Sequence, residues 1–193
     1  MKKNLLTLAI LLASLTCAAQ EHLSFKGIPI EGDMKEFCLK LSEKGFKKVG
    51  SEGTTALYTG DFTGREATVG VVAANDGKTV YTVYANFKPT KEWRELVDTY
   101  NYYKGLYTIK YGDPKKVVEK NPAYDDNLDD SNFSLMHELY EGLVTWTSQW
   151  EATGGDIELS IEKTSRAHEG LVIIRYRDAR NEDIKITKDL EEI

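Results

Sequence analysis

The chain has 193 residues, 41% of them hydrophobic, and its 31 Asp and Glu residues outnumber its 25 Lys and Arg residues. The net charge of −6 repels the phosphates of nucleic acids, and no block of basic residues offsets it, so we expect no nucleic-acid partner. A chain of this length can bury a hydrophobic core.

Residues 1–20 have the features of a secretory signal peptide. Two lysines precede an apolar run from Leu5 to Leu15, and small residues follow. The run is too short to cross a bilayer, and no later segment approaches the roughly 20 apolar residues that a spanning helix needs. We therefore expect cleavage after Ala19 or Gln20. The product would be a periplasmic or secreted protein without a transmembrane segment, with a net charge of about −8 because two lysines are lost.

The two cysteines are Cys17 and Cys38. Cys17 leaves a second processing route open, in which a lipoprotein peptidase cuts before it and a lipid anchor is attached. The residues before Cys17 match the lipoprotein pattern of Leu followed by two small residues poorly, so the unlipidated form is the preferred interpretation. After cleavage near residue 20, Cys38 is the only cysteine and no internal disulfide can form. Its place on an apolar helical face predicts a buried, inert thiol.

The first half of the mature chain predicts one helix and an antiparallel meander. The helix covers about residues 33–44, where Asp33 and Glu36 form a capping-box-like pair and Gly45 ends the helix. Four strands follow, at residues 47–49, 54–59, 66–74 and 79–87. Hydrophobic residues alternate with others in the last two strands, and Asn75-Asp76-Gly77 between them predicts a hairpin turn.

A long amphipathic helix is predicted at residues 89–114, midway between two similar halves. Apolar and aromatic residues recur there at helical spacing: Trp93, Val97, Tyr100, Tyr103, Tyr107 and Tyr111. We expect Thr90 to cap the start, Gly112 to close the end and Pro114 to prevent continuation. The aromatic face is either a ligand platform or a stripe packed on the sheet, and we prefer the second interpretation because such stripes are usually buried.

The second half repeats this order of elements. The predicted elements are a strand at 115–119, an acidic loop, a short helix at 131–140, strands at 143–150, 156–163 and 171–177, and a final helix from Asn181. Each half thus has a helix followed by about four antiparallel strands, which predicts an α+β fold with helices packed on the sheet. We expect residues 21–193 to form one domain with two lobes, about 21–88 and 89–193. Whether the two meanders share one sheet is left open.

The segment from Phe25 to Phe46, FKGIPIEGDMKEFCLKLSEKGF, and KYGDP at Lys110 to Pro114 carry a resemblance to known sequences. Together they resemble a group of uncharacterised exported proteins from Bacteroidetes-type bacteria, a resemblance that implies no known activity. The order of elements is also similar to that of the β-lactamase inhibitor proteins and of small outer-membrane assembly lipoproteins. This second likeness concerns fold, and fold does not fix function.

Two sets of residues partly match the patterns of metal sites. Asp125, Asn127 and Asp129 have the alternating spacing of a calcium loop, but Asp130 and Met136 stand where that loop needs glycine and glutamate. A solvated acidic loop that caps the next helix is therefore preferred. His137 begins a zinc-protease-like motif in which a glutamate replaces the second histidine. Motifs for a serine nucleophile, a phosphate loop or a dinucleotide are also missing, so the sequence predicts no catalytic residue, metal or cofactor.

Trp146 and Trp150 share one face of a predicted strand. If exposed, this strip could hold a sugar ring or a partner's anchor residue. The polar residues Thr145, Thr147 and Gln149 on the other face favour the interpretation that the tryptophans are buried. The candidate binding surface comprises Trp146, Trp150, Tyr124, Asp125 and Asp129.

The preferred hypothesis is an exported, non-enzymatic binding protein with an unknown protein partner, acting as an inhibitor or another interaction module. Two alternatives remain open. One is an envelope hydrolase that acts on glycans through paired carboxylates and the tryptophan strip. The other is a structural outer-membrane lipoprotein, which requires a lipid on Cys17.

Overall fold

A computed structural model describes residues 21–74, 77–191 and 193. The predicted signal peptide with Cys17, and Asn75 and Asp76 of the predicted turn, lie outside these residues. The described chain contains the following elements: β1 (Ser24–Phe25), β2 (Ile28–Pro29), α1 (Met34–Glu43), β3 (Lys47–Glu52), β4 (Thr55–Phe62), β5 (Arg65–Ala73), β6 (Val80–Phe87), α2 (Trp93–Tyr111), β7 (Lys116–Lys120), α3 (Pro122–Asp125), α4 (Asn132–Glu141), β8 (Thr145–Ala152), β9 (Gly155–Lys163), β10 (Gly170–Asp178) and α5 (Ala179–Glu191).

The two meanders form one continuous antiparallel sheet of eight strands. Its order is β3-β4-β5-β6-β10-β9-β8-β7, so the last strand of each half pairs with the other at the centre. In this central pair Ala85 lies opposite Ile174, and Val83 lies opposite Tyr176. The α+β prediction is confirmed, and the question of one sheet or two is answered by the pairing of β6 with β10.

One face of the sheet is covered by helices and forms the core. Alternate residues of the central strands are fully buried on this face, among them Val69, Val83, Leu159 and Ile174. The apolar sides of α1 and α2 complete the core, because their three- and four-residue spacing puts hydrophobic side chains on one side of each helix. Tyr103 of α2 stacks on Phe87 of β6 with ring centroids 4.4 Å apart. The aromatic stripe of α2 is thus core, as its spacing predicts.

The segment that precedes α1 is held to the end of the sheet by buried polar groups. Asp178 is fully buried, and its carboxylate accepts hydrogen bonds from Leu23 N at 2.8 Å and Asn181 N at 3.0 Å. His22 Nδ1 lies 3.1 Å from the same carboxylate. The Asn181 amide donates to Ile30 O at 2.9 Å and to Val80 O at 2.7 Å. These bonds join the N-terminal residues, β6, β10 and α5, and they satisfy polar groups that burial would otherwise destabilise.

The opposite face of the sheet is more polar. Arg175 of β10 lies 3.3 Å from Glu158 and donates to Glu162 Oε2 at 2.8 Å, both across the β9–β10 pair. Nearby, the ring of Tyr84 lies across Gly70 so closely that a Cβ on residue 70 would overlap it. Alternation of buried and polar residues along each strand therefore gives one face to the core and the other to a partly exposed ionic cluster.

The long helix begins later than its sequence predicts. It starts at Trp93, and Thr90 Oγ accepts from Glu92 N at 3.2 Å instead of capping the helix itself. The short helix α3 was not predicted, because its four residues are too few for a periodic pattern. Within the described part of the chain, the helices are all too short or too polar to span a membrane.

Candidate functional site

Trp146 and Trp150 are core residues. They are 6% and 1% exposed, and their rings contact Trp93 at 5.3 Å and Tyr107 at 5.5 Å respectively. The Trp150 indole also donates to Gly112 O at 3.0 Å. Both side chains point to the helix-covered face, so the tryptophan strip is buried, which is the interpretation that the polar residues on the other face of the strand favoured. Neither tryptophan is available to an external ligand.

The other predicted site residues are exposed and lie next to α4. Tyr124 is 49% exposed and its ring meets the edge of Trp146 at 5.6 Å, so it covers the buried indole. Asp125 ends α3 and Asp129 precedes α4. Asp129 accepts from Ser131 N at 2.9 Å and from the Ser134 hydroxyl, and these hydrogen bonds lower the pKa of its carboxyl. The acidic loop thus caps the helix that follows it.

A cluster of four rings lies along α4, three of them exposed and the fourth, that of His168, half-buried. Phe133, His137 and Tyr140 occur at i, i+4 and i+7 of this helix, and His168 reaches them from the turn between β9 and β10. The ring centroids of Phe133 and His168 are 5.2 Å apart, those of His137 and His168 are 5.7 Å apart, and those of Tyr140 and His168 are 5.4 Å apart. Phe133 is 67% exposed and Tyr140 is 41% exposed.

The segment that carries three of these rings is rich in carboxylates and has no cation of its own. From Asn121 to Leu143 the chain has six acidic residues and no lysine or arginine. The six are Asp125, Asp126, Asp129, Asp130, Glu138 and Glu141. Two cations near α4 have partners of their own, since Lys163 donates to Tyr140 O at 2.9 Å and Arg166 pairs with Glu169 at 3.6 Å. We name the four rings and the six carboxylates the acidic–aromatic surface.

Two polar atoms of this surface lack a hydrogen-bond partner among the residues that the structure describes. They are Glu138 Oε2 and His168 Nε2, and both are shielded from water. His168 also has a φ of 54°, in the left-handed region that residues other than glycine rarely adopt. Buried polar groups are normally paired, and local strain tends to occur at functional sites. The surface thus combines exposed rings with unsatisfied polar groups.

No group of three or more His, Cys, Asp or Glu side chains in the described chain is arranged to hold a metal ion. The ring cluster and its carboxylates could instead bind through face contacts with rings and through hydrogen bonds to carboxylate oxygens. The sequence pointed to Tyr124, Asp125 and Asp129 but missed the four rings. The spacing of Phe133, His137 and Tyr140 was the available signal, whereas the contribution of His168 depends on the fold.

A separate cavity of about 910 Å³ lies at the end of β6. It opens where Lys88 and Pro89 leave the sheet, between the start of β5 and the first turns of α2. Three carboxylates line it, from Glu66, Glu95 and Asp98. Its volume is in the range of small-ligand pockets. It shares no residue with the acidic–aromatic surface.

The fold and the surface together describe an α+β protein with a continuous eight-stranded sheet, a helix-covered core and a group of rings and carboxylates on and next to α4. Searches against protein-family models, curated proteins and solved structures find no match to this chain.

Proposed function

We propose that this protein is an exported, non-enzymatic binding protein that holds another protein on its acidic–aromatic surface. The observation that carries the proposal is the mostly exposed ring cluster of Phe133, His137, Tyr140 and His168. Aromatic residues are enriched at protein interfaces, where their large faces are buried by the partner. A buried position would be ordinary for Phe133, but it is 67% exposed.

The local geometry favours a preformed surface. Asp129 and Ser131 hold the first turn of α4, and Asn132 joins that turn to the start of α2. Lys163 holds the other end of α4 through Tyr140 O. A surface on a helix fixed at both ends loses little conformational entropy on binding, which favours affinity.

Site-specific photo-crosslinking tests this proposal in the cells that make the protein. Benzoylphenylalanine replaces Phe133 in one variant and Tyr102 in a control, because Tyr102 is also an exposed aromatic on a helix, α2, and is 43% exposed. We expect a discrete crosslinked product of one added protein from position 133 and none from position 102. Equal products from both positions, or none from either, would contradict the proposed surface.

The glycan hydrolase is a second candidate, and one observation favours it: the cavity at the end of β6 is lined by Glu66 and Glu95. The sequence offered Trp146 and Trp150 as the sugar-binding platform of such a hydrolase, but both are buried. Release of reducing ends from purified envelope glycans is the test. An activity that Glu66→Gln or Glu95→Gln abolishes would establish hydrolysis. Equal rates of reducing-end release with and without the protein would reject the hydrolase hypothesis.

The lipoprotein alternative depends on Cys17 and is tested by the intact mass of protein purified from its native envelope. A free N-terminus at Gln20 or Glu21 indicates an unanchored exported protein. A diacyl or triacyl mass on Cys17 indicates a membrane anchor, and the binding partner would then be sought among membrane neighbours.

A further inference from the structure

We infer that the partner presents a basic segment, whose Lys or Arg side chains lie against the rings and carboxylates of the acidic–aromatic surface. This inference rests on the proposed function and adds the chemistry of the partner. It begins from the distribution of charge. The segment from Asn121 to Leu143 has six acidic residues and no basic ones, although the whole chain has 25 lysines and arginines.

The carboxylates are free to receive cations. Asp125, Asp126 and Asp130 are exposed, and they make no ion pair with any described residue. Elsewhere in the fold acidic residues do find cations, as Glu158 and Glu162 do with Arg175. Potentials of opposite sign steer two proteins together and set their register, so this surface favours a positively charged partner.

The rings favour the same partner. A cation placed over an aromatic face is attracted by the ring, and Phe133 and Tyr140 are 67% and 41% exposed. Lysine and arginine also have apolar stems that pack on aromatic surface while their charged ends reach neighbouring carboxylates. A basic segment therefore matches both parts of the surface, whereas an acidic or purely apolar segment matches at most one.

Asp129 links the acidic loop to the ring cluster. Its carboxylate accepts a hydrogen bond from the Ser134 hydroxyl, and Ser134 follows Phe133 in the first turn of α4. The acidic loop and the first ring therefore lie at the same end of α4, where one basic segment can contact both.

The test uses deca-arginine as the probe and deca-citrulline as its neutral isostere, with binding mapped by backbone amide chemical shifts of the whole mature protein. We expect deca-arginine to shift the amides of residues 121–143 and 164–169, and deca-citrulline to leave them unchanged. The triple variant Asp125→Asn, Asp126→Asn, Asp130→Asn should weaken binding by about tenfold. Phe133→Ala should weaken it by about fivefold, because one ring face is lost.

The matched control removes three exposed acidic side chains elsewhere, Glu43→Gln, Glu52→Gln and Asp113→Asn, and so changes the net charge equally. We expect it to change the affinity by less than about twofold. Equal weakening by both triple variants, shifts spread over the whole protein, or equal binding of deca-citrulline would overturn the inference. A crosslink from position 133 without deca-arginine binding would leave the binding function in place and reject only the basic partner. If neither the crosslink nor deca-arginine binding is observed, the binding function and the basic partner are both rejected.

Discussion

Asn132, the first residue of α4, caps helix α2 from outside that helix. Its Oδ1 accepts a hydrogen bond from Trp93 N at 2.7 Å, and its Nδ2 donates to Lys91 O at 2.8 Å. Glu92, which precedes Trp93, makes no side-chain cap of its own. The Asn132 side-chain amide therefore pairs a backbone N–H at the start of α2 and also attaches the first turn of α4 to that helix. Phe133 is the next residue of α4.

We expect Asn132→Ala to destabilise the fold by about 1 kcal/mol, because the backbone N–H of Trp93 loses its acceptor. The measurement is urea unfolding followed by tryptophan fluorescence. Asn101→Ala, the same substitution at an exposed position within α2, serves as the control. An unchanged unfolding midpoint for Asn132→Ala would show that water replaces the cap at no cost.

The core position of Trp150 and the surface position of Phe133 predict opposite effects on stability. Trp150 is 1% exposed, so Trp150→Ala should cost about 3–5 kcal/mol through lost burial and a cavity. Phe133 is 67% exposed, so Phe133→Ala should change the free energy of unfolding by less than about 0.5 kcal/mol. Denaturant unfolding of both variants provides the measurement. A large decrease in the free energy of unfolding of Phe133→Ala would mean that the ring cluster stabilises the fold and is not a surface available only for binding.

The ionic cluster on the open sheet face predicts a loss of stability in acid. Burial alone would raise the pKa of Glu158, but the hydrogen bond from Gln149 and the charges of Arg177 and Arg175 outweigh it and lower that pKa. A carboxyl whose pKa is lowered by folding contributes stability above its unfolded pKa, and this contribution is lost as the pH falls through the lowered folded value. Stability should therefore fall as the pH drops below about 4.5, the ordinary value for glutamate.

In Glu158→Gln this contribution is absent, so the drop in thermal midpoint between pH 6 and pH 3 should be smaller than in the natural protein. Glu43→Gln, at an exposed residue that ends α1, is the control. Parallel acid profiles for the natural protein and Glu158→Gln would show that the cluster does not link folding to pH.

Cys38 should react slowly with thiol reagents in the native state. Burial raises the pKa of its thiol, more than the hydrogen bond to Tyr58 lowers it, and only 9% of the residue is exposed. The next residue, Leu39, is 62% exposed and provides a matched control. In protein that begins at residue 21, Cys38 should react at least about 100-fold more slowly with DTNB than the cysteine of a Cys38→Ala, Leu39→Cys variant. Similar rates would show that α1 opens readily.

The sequence by itself determined most of the helices and strands and which side of each is apolar. Period-two alternation in β5, β6 and β9, and helical spacing in α1 and α2, depend on side chains close together in the chain, so they can be recognised without the fold. The polar residues opposite Trp146 and Trp150 likewise indicated the buried side of β8. The exposed loop at Asp125 and Asp129 was recognisable because four aspartates and no cation occur between residues 125 and 130.

Only the tertiary structure decided how distant segments meet. The pairing of β6 with β10, which makes one sheet of two meanders, joins strands that are separated by more than 80 residues, and no local pattern specifies it. The cap that Asn132 gives to α2 spans 39 residues, and the contact of His168 with Phe133 spans a helix and two strands. These contacts form because burying the apolar faces of the helices on one sheet brings their ends together, and that burial is a property of the whole chain.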